Sequence, residues 1–541
     1  MPAPNIPTLQ AQSSTSKGLP GIAINEDSLH EAASQTPPRH LFKEALEWKW
    51  ALVIVSPEML ITPGFNHVLM NTSFQQHLSL IFIDECHLVD EQGSDFRPCY
   101  KLIGLLRSRI PTQIPWVAVS ATLPPGKCFN AVTESLGFQV GHYTHHTLPI
   151  DNHHICYIPK TFQYPVSGTC FLDLAWLIPP SVASPHNIVK TLIFCEKIEL
   201  GSRVCDFLWW LLPGSFHKNK SIILPYHSLL SKSARTTAME GFRLGTTRII
   251  VGTDCFTWGV DVPDIRNVVV FGLPSSFSKL VQQIGRAGRD GDQAYAITYA
   301  ARWVKDTPEK PRKKPWKATK KEVADLKRRE AMCQVLRHWF NTSRKSCPRH
   351  VFCDHFGEQA SQPENCCIHH HKTLPHLDPT ESTVLQFSPS HTRAPTVRSD
   401  RTYKSFRDKQ YAPIRAAASR MIAVWARQTW EEVRGEDALL PSTAFFPQAL
   451  QKRLSEKIHV ITSIDHLCKV LCGWHHLDSH KVKLFKFCKD MLKGLDDIRK
   501  EVEAKCKMRE DDEMEEDDEM EEDEDKDCQG HSGPILNQNS K

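Results

Sequence analysis

The chain has 541 residues, 40% hydrophobic and 24% charged, enough for about three or four domains with cores of their own. It holds no apolar run near the roughly 20 residues that span a bilayer, and its opening MPAPNIPTLQAQSSTSKG lacks the charged-then-apolar layout of a signal peptide, so an intracellular protein without membrane contact is expected. The net charge of +4 conceals an asymmetry: Glu510–Asp527 carries 15 acids and one lysine, leaving 65 Lys+Arg against 47 Asp+Glu elsewhere, a surplus of +18 that suits a polyanionic partner.

Residues 1–40, rich in Ser, Pro, Thr and Gln, read as a disordered leader. Over 41–150, "WALVIVSPEML", "LSLIFIDECH" and "WVAVSATLPPG" are strand-like, with a helical segment (Tyr100–Arg109) before the last, a strand-helix-strand rhythm of open α/β sheets. The run Leu80-Ile81-Phe82-Ile83 fits a central parallel strand whose C-terminal edge opens on a ligand crevice, and it ends in Asp84 and Glu85. In a nucleotide hydrolase the first such acid holds Mg²⁺ and the second orients or deprotonates the attacking water; the other reading is a solvated acid pair after a strand. Residues 151–302 repeat the texture with "TLIFCEKIELGSRVCDFLWWLL", "IILPYHSLL", "RIIVGTD", "NVVVFGLP" and "AYAITYA". Two such modules in tandem frame a cleft.

Within the second module Arg286 and Arg289 lie three apart on an expected helix, hence on one face, where guanidinium groups can reach a γ-phosphate across the cleft. Residues 303–372 turn basic and helical and then carry cysteines and histidines. Their "EKPRKKPWKATKK" reads as a nuclear-import signal, a DNA-backbone contact or a plain basic linker. A Pro/Ser/Thr-rich linker (373–400), a helical domain (401–507) and an acidic disordered tail (508–541) follow, the tail being either a dock for a basic partner such as histones or inert. The 18 cysteines are irregularly spaced, which favours buried small hydrophobes and metal ligands over a disulfide framework. The cluster His142, His145, His146, His153 and His154 has no matching thiols and reads as linker composition.

Five fragments in order, "DECH" (84–87), "SAT" (120–122), "YHSLL" (226–230), "RIIVGTDCFTWGVDVPDIRNVV" (248–269) and "QQIGRAGRDG" (282–291), resemble the motifs of superfamily 2 helicases. "QGSDFRPCYKLIGLLR" after the acid box and "FGLPSSFSKLVQQIGRAGRDG" are similar to RecQ DNA helicases, and the resemblance covers about residues 50–370. It implies an α/β fold of tandem RecA-like modules, the first truncated, followed by a helical, zinc-binding region. It also implies ATP and Mg²⁺ as cofactors, single-stranded DNA and duplex junctions as partners, 3′ to 5′ tracking, and nuclear work in repair and recombination. By resemblance, Asp84 holds Mg²⁺, Glu85 activates water, and His87 bridges nucleotide and coupling motif. Gln282, Gly285, Arg286 and Arg289 serve the nucleotide, with Arg289 as the finger. Ser120 and Thr122 couple hydrolysis to movement; as hydroxyls at a strand end they also fit plain caps. Thr253, Asp254, Gly259 and Asp261 contact the nucleic-acid backbone, and Phe96 and Arg97 stack on or pair with single-stranded DNA.

Three departures stand out. Gln92 and Ser94 replace an aromatic-loop tryptophan and histidine. The zinc region keeps Cys347, Cys366 and His369 as ligands but places Pro363 where a cysteine belongs, leaving Cys353 or Cys367 as substitutes. Lastly, no Gly-Lys-Ser/Thr cradle is present: the one Gly-Lys, Gly126-Lys127, is followed by Cys128 and lies after the acid box. The expectation is therefore a fragment of a helicase, a non-hydrolysing relative that still binds DNA, or an enzyme with an altered route.

Overall fold

Order begins earlier than the N-terminal composition suggests. The computed structural model describes residues 6–91, 98–110, 113–166, 168–217, 219–254, 262–306, 319–371, 377–380, 383, 412–433, 441–458, 461–474, 476–495 and 500. Helix α1 (Ile6–Ser16), strand β1 (Gly21–Ile24) and helix α2 (Glu26–Ala33) fill most of the stretch expected as a disordered leader. The cause is the apolar Ile22-Ala23-Ile24, buried in a parallel ladder with β2 (Leu52–Val55). Asn25 and Ser28 then start α2 with a reciprocal capping box.

Helices α3 (Leu41–Leu46), α4 (Pro63–Leu69) and α5 (Thr72–His77) lead to β3 (Ile81–Ile83), the short α6 (Leu88–Glu91), a 3₁₀ helix (Pro98–Ser108), β4 (Trp116–Ala118) and α7 (Lys127–Ser135). The expected helix near 100–109 is thus 3₁₀. Its backbone presses so closely on α7 that a Cβ at Gly104 would sit 1.9 Å from the Ser135 carbonyl oxygen. Strand β3 pairs in parallel with β4, Phe82 opposite Val117. Ile83, Phe65, Val68, Phe74, Leu106 and Leu136 share the core beneath. The other face is open, with Phe82 and Val117 exposed by 55% and 38%.

The second module closes properly. Its strands are β5 (Ile155–Thr161), β6 (Thr191–Cys195), β7 (Ile223–Tyr226), β8 (Ile249–Gly252), β9 (Asn267–Phe271) and β10 (Ala294–Ala300), ordered β5-β10-β9-β6-β8-β7. Every ladder is parallel. Runs such as LIF, IIV and VVV are apolar on both sides, as strands covered on both faces must be. The helices α8 (Ile198–Leu211), α9 (Lys232–Leu244) and α10 (Phe277–Ile284) connect them.

Helices α11 (Lys320–Ala331), α12 (Gln334–Phe340) and α13 (Pro348–Phe356) follow. The cysteine-rich turn beyond them bridges the free edge of β5, Tyr157 N–H donating to Cys366 O and Ile368 N–H to Tyr157 O. The fully buried Arg349 fixes this region: it pairs with Asp151, donates to Ile155 O at 2.5 Å and to Asn152 O at 3.1 Å, and lies over the Tyr157 ring. Glu358 accepts from the Ile150 and Asp151 N–H groups.

The described residues divide into two compact units, one from those up to Val166 and from Phe171 to Thr383, the other from the rest. The second is helical: Ala412–Val433, Ser442–Phe445, Gln448–Lys457, Ile464–Val470 and a helix over 477–495. Ile422, Trp425, Phe446, Leu454, Trp474 and Leu484 form its core. No helix among the described residues is long and apolar enough to cross a membrane.

Arg349→Met should destabilise the first unit by about 3–5 kcal/mol in urea unfolding, because it leaves the Asp151 carboxylate buried without its partner. A loss below about 1 kcal/mol would show that the ion pair does not hold the region together.

Candidate active site between the two modules

The acid pair sits where β3 runs out. The ladder continues one step past the strand, Val119 N–H donating to Ile83 O and Cys86 N–H to Val119 O, which brings "DECH" beside "SAT". Between them the chain turns sharply, with Glu85 at φ 50°, a left-handed conformation unusual outside glycine. Asp84 Oδ1 accepts from the Glu85 N–H at 2.9 Å, and Asp84 Oδ2 accepts from the Gln10 amide of α1, also at 2.9 Å.

Glu85 Oε2 is buried without a hydrogen-bond partner among the described residues. Burial, reinforced by Asp84 and opposed by the Arg286 guanidinium, raises the Glu85 carboxyl to about 6. That value suits a group that must take up a proton near neutrality. His87 Nδ1 lies 3.4 Å from Glu85 Oε2, but the contact is no ion pair: the ring is 2% exposed and burial lowers it to about 4.

The neutral imidazole spans the cleft. Nδ1 lies 2.9 Å from Ser120 Oγ, and Nε2 lies 2.9 Å from Gln282 Nε2 on α10 of the second module. With the Gln282 amide donating to Nε2, the ring proton resides on Nδ1 and serves Ser120, whose hydroxyl accepts the Thr122 N–H at 3.1 Å. Acid box, "SAT" segment and α10 are therefore one hydrogen-bonded chain. Gln282, noted in the sequence only as a nucleotide contact, is the residue that carries the link.

The arginines are arranged differently from the expectation. Helix α10 ends at Ile284 with Gly285 as its cap, so Arg286 and Arg289 do not share a helical face. Gly288 turns the chain at φ +57°, where a Cβ would come within 2.9 Å of Asp292 O and the Ala294 side chain. Arg286 acts on Glu85, whereas Arg289 Nε donates back to Gly285 O at 3.2 Å. Arg286 is thus the one of the two whose charge is seen to bear on the acid pair. Asp254 accepts from Gln283 Nε2 at 3.2 Å and pairs with Lys279 at 2.6 Å, and the Thr253 N–H donates to Tyr226 O. Phe96, Arg97, Gly259 and Asp261 lie outside the described residues.

In the cysteine-rich turn, Cys347, Cys366, Cys367 and His370 bring one ligand atom each within 4.8 Å of one another. His370 Nδ1 stands 3.4 Å from Cys366 Sγ and 3.2 Å from Cys367 Sγ. Of the expected ligands, Cys353 and His369 fall outside. Cys353 is fully buried and pushed up to about 12, by burial and then Asp151, and His369 Nε2 faces Thr342 Oγ1 at 3.1 Å. The sequence signal for His370 was its spacing of three and four from the vicinal cysteines. A hydrogen bond from Cys367 favours the Cys347 thiolate, and its counterpart raises Cys367.

A family model, "Helicase conserved C-terminal domain", matches residues 174–291. The chain is 26% identical over 352 residues to the "ATP-dependent DNA helicase RecQ" of Pasteurella multocida, covering 64% of this chain and 50% of that protein. It is 30% identical over 250 residues to the "ATP-dependent helicase wrn-1" of Caenorhabditis elegans, covering 46% and 22%. It is 25% identical over 296 residues to the human "ATP-dependent DNA helicase Q4", covering 53% and 23%. The chain thus spans half or less of the length of these relatives. Among solved structures it is similar to Mss116p bound to ssRNA and AMP-PNP, at TM-score 0.43 and 13% identity over 84% of this chain and 73% of that one.

In a histidine NMR titration, the resonance removed by His87→Gln should have its midpoint near 4. Because the unfolded ring binds its proton more readily, this group's share of stability should be lost as pH falls from about 6.5 toward 4. A midpoint at or above 6.5 would contradict the buried neutral bridge.

Proposed function

We propose that this chain, RecQ-like over the part of those helicases that it spans, works as an ATP-dependent DNA helicase tracking 3′ to 5′, in the nucleus and in DNA repair and recombination. The observation that carries this reading is the His87–Gln282 contact, which joins the acid pair of one module to the arginine-bearing segment of the other. In a motor of this class, ATP closes the cleft and hydrolysis releases it.

The residues present fit a magnesium nucleotide in part. The Glu85 oxygen, buried without a hydrogen-bond partner among the described residues, and the adjacent Asp84 carboxylate suit a divalent cation and an attacking water. Asp84 would hold the ion once the Gln10 amide yields. The polyphosphate cradle is not matched, since Gly126-Lys127 runs on into Cys128 as the start of α7. When bound, the magnesium nucleotide supplies the γ-phosphate and the cation that offsets its charge. With it bound, Glu85 Oε2 would be the group to take the proton of the attacking water, Arg286 would face the developing negative charge, and His87 would link the acid pair to Ser120 and Gln282. The +18 surplus outside the acidic run supports a polyanionic partner, and the acidic tail is assigned to a basic one. A second reading, a DNA-binding protein without hydrolysis, is favoured by the Gln10 amide on Asp84.

The Cys347, Cys366, Cys367 and His370 set suits Zn²⁺, which takes thiolate and imidazole ligands tetrahedrally. Bound there, zinc would pin the turn to the edge of β5.

DNA-stimulated ATP turnover should rise with pH through about 6 as Glu85 ionises and fall on the order of 100-fold or more in Glu85→Gln. Salt-sensitive DNA binding without turnover would select the second reading. Elemental analysis should find one zinc per chain, lost in Cys347→Ala and His370→Ala and kept in Cys353→Ala and His369→Ala; retention in the first pair would overturn the ligand set.

A further inference from the structure

The helix over 477–495 sorts its side chains by face. Leu484, Cys488, Met491 and Leu495 lie in the core of the helical unit. At about 3.6 residues per turn, Val482, Lys486, Lys489 and Lys493, spaced four, three and four apart, share the opposite face, and all four are exposed. The charges near the start of the helix are matched: Lys481 pairs with Asp478 at 2.8 Å, and Lys483 pairs with Glu432 near the end of the helix Ala412–Val433. Lys486, Lys489 and Lys493 have no carboxylate partner among the described residues. Lys489 Nζ instead lies 4.9 Å from the centroid of the Phe485 ring. Beside them stands one exposed acid, Asp490. Like charges three and four apart repel along a helix, so this stripe is stabilised by an anion laid upon it.

The same chain carries such an anion. Fifteen residues beyond Leu495 begins Glu510–Asp527, with 15 acids, one lysine and two apolar residues, Met514 and Met520, one in each DDEMEE repeat. A connection of that length reaches at most about 50 Å, against about 28 Å for the whole helix, so the acids can lie back along the stripe. Tethering presents them at an effective concentration near millimolar. Three surface lysines offer a strand arriving from solution little affinity, and the tethered segment outcompetes it. A methionine, unbranched and adaptable, also suits Val482, which is 66% exposed at the head of the stripe.

We propose that the acidic segment Glu510–Asp527 docks on the Lys486, Lys489 and Lys493 face of its own chain, with a methionine against Val482. Docked, the segment withholds this basic face from other polyanions. The inference rests on the assignment of the acidic tail to a basic partner and deepens it, since the partner is the chain's own helix.

The test is carbodiimide cross-linking of the full chain, mixed at low concentration with isotope-labelled chain and read by peptide mass spectrometry. At low salt, cross-links should join Lys486, Lys489 or Lys493 to carboxylates of 510–527 within one chain, and they should fade toward about 1 M salt, where screening shortens to about 3 Å. Glu-specific proteolysis supplies a second readout. Relative to a free 508–541 peptide, cleavage within the segment should be about three- to tenfold slower at low salt. Lys486→Gln, Lys489→Gln and Lys493→Gln together should abolish that protection, whereas arginine at the same three exposed positions, which keeps the charge, should preserve it. Cross-links confined to other lysines or joining different chains, or protection unchanged in the glutamine variant, would overturn the inference. If added core histones then protect the segment, its basic partner lies outside the chain and the assignment beneath stands; if neither the chain nor histones protect it, both fall.

Discussion

The site depends on one buried ring. His87 has no room for a second proton, because burial disfavours its charged form, and a neutral imidazole offers one donor and one acceptor. Both are used, one toward Ser120 and one toward Gln282. Were the ring charged, both nitrogens would donate, and a glutamine donating from the second module would meet an N–H instead of a lone pair. The cross-cleft contact is therefore tied to a protonation state that the fold enforces. The same burial lifts Glu85, so one dry pocket yields a carboxylate of raised affinity for protons and a histidine of lowered affinity.

The two modules supply this pocket from unequal scaffolds. In the second, six parallel strands bury continuous apolar runs, and α10 presents Gln282 and Gln283 from a rigid helix that stops at Gly285. In the first, the β1–β2 and β3–β4 ladders stand as separate pairs, and the outer face of β3–β4 leaves Phe82 and Val117 in water. Two-stranded parallel pairs gain little by themselves. What holds the acid loop is the core under β3 together with the Cys86–Val119 and Gln10–Asp84 hydrogen bonds and the hydrogen-bonded chain through His87. Replacing Gln282 thus removes support on the weaker side.

Much of this was legible in the sequence, and the misses have physical causes. The apolar run into Asp84-Glu85 announced a buried strand ending at a site, and the LIF, IIV and VVV runs announced a doubly covered parallel sheet. The arginine pair was misplaced because the three-residue spacing was taken as helical across Gly285 and Gly288, which are where the helix stops and turns. The N-terminal stretch was taken as a leader because its Ser, Pro and Gln content hid a four-residue strand held by pairing with β2 and by burial in the first module's core. His370 was passed over for His369 because adjacent histidines differ only in which way the turn points them. The buried Gln283 oxygen, without a hydrogen-bond partner among the described residues, leaves no trace in sequence, since it is defined by what fails to surround it.

The central claim is that His87 and Gln282 act as a unit across the cleft. A double-mutant cycle of His87→Ala and Gln282→Ala on DNA-stimulated ATP turnover tests it directly. The account predicts a coupling above about 1 kcal/mol between the two sites, as expected for side chains in direct contact. Effects that add within about 0.5 kcal/mol, or no turnover in the unaltered chain, would contradict it.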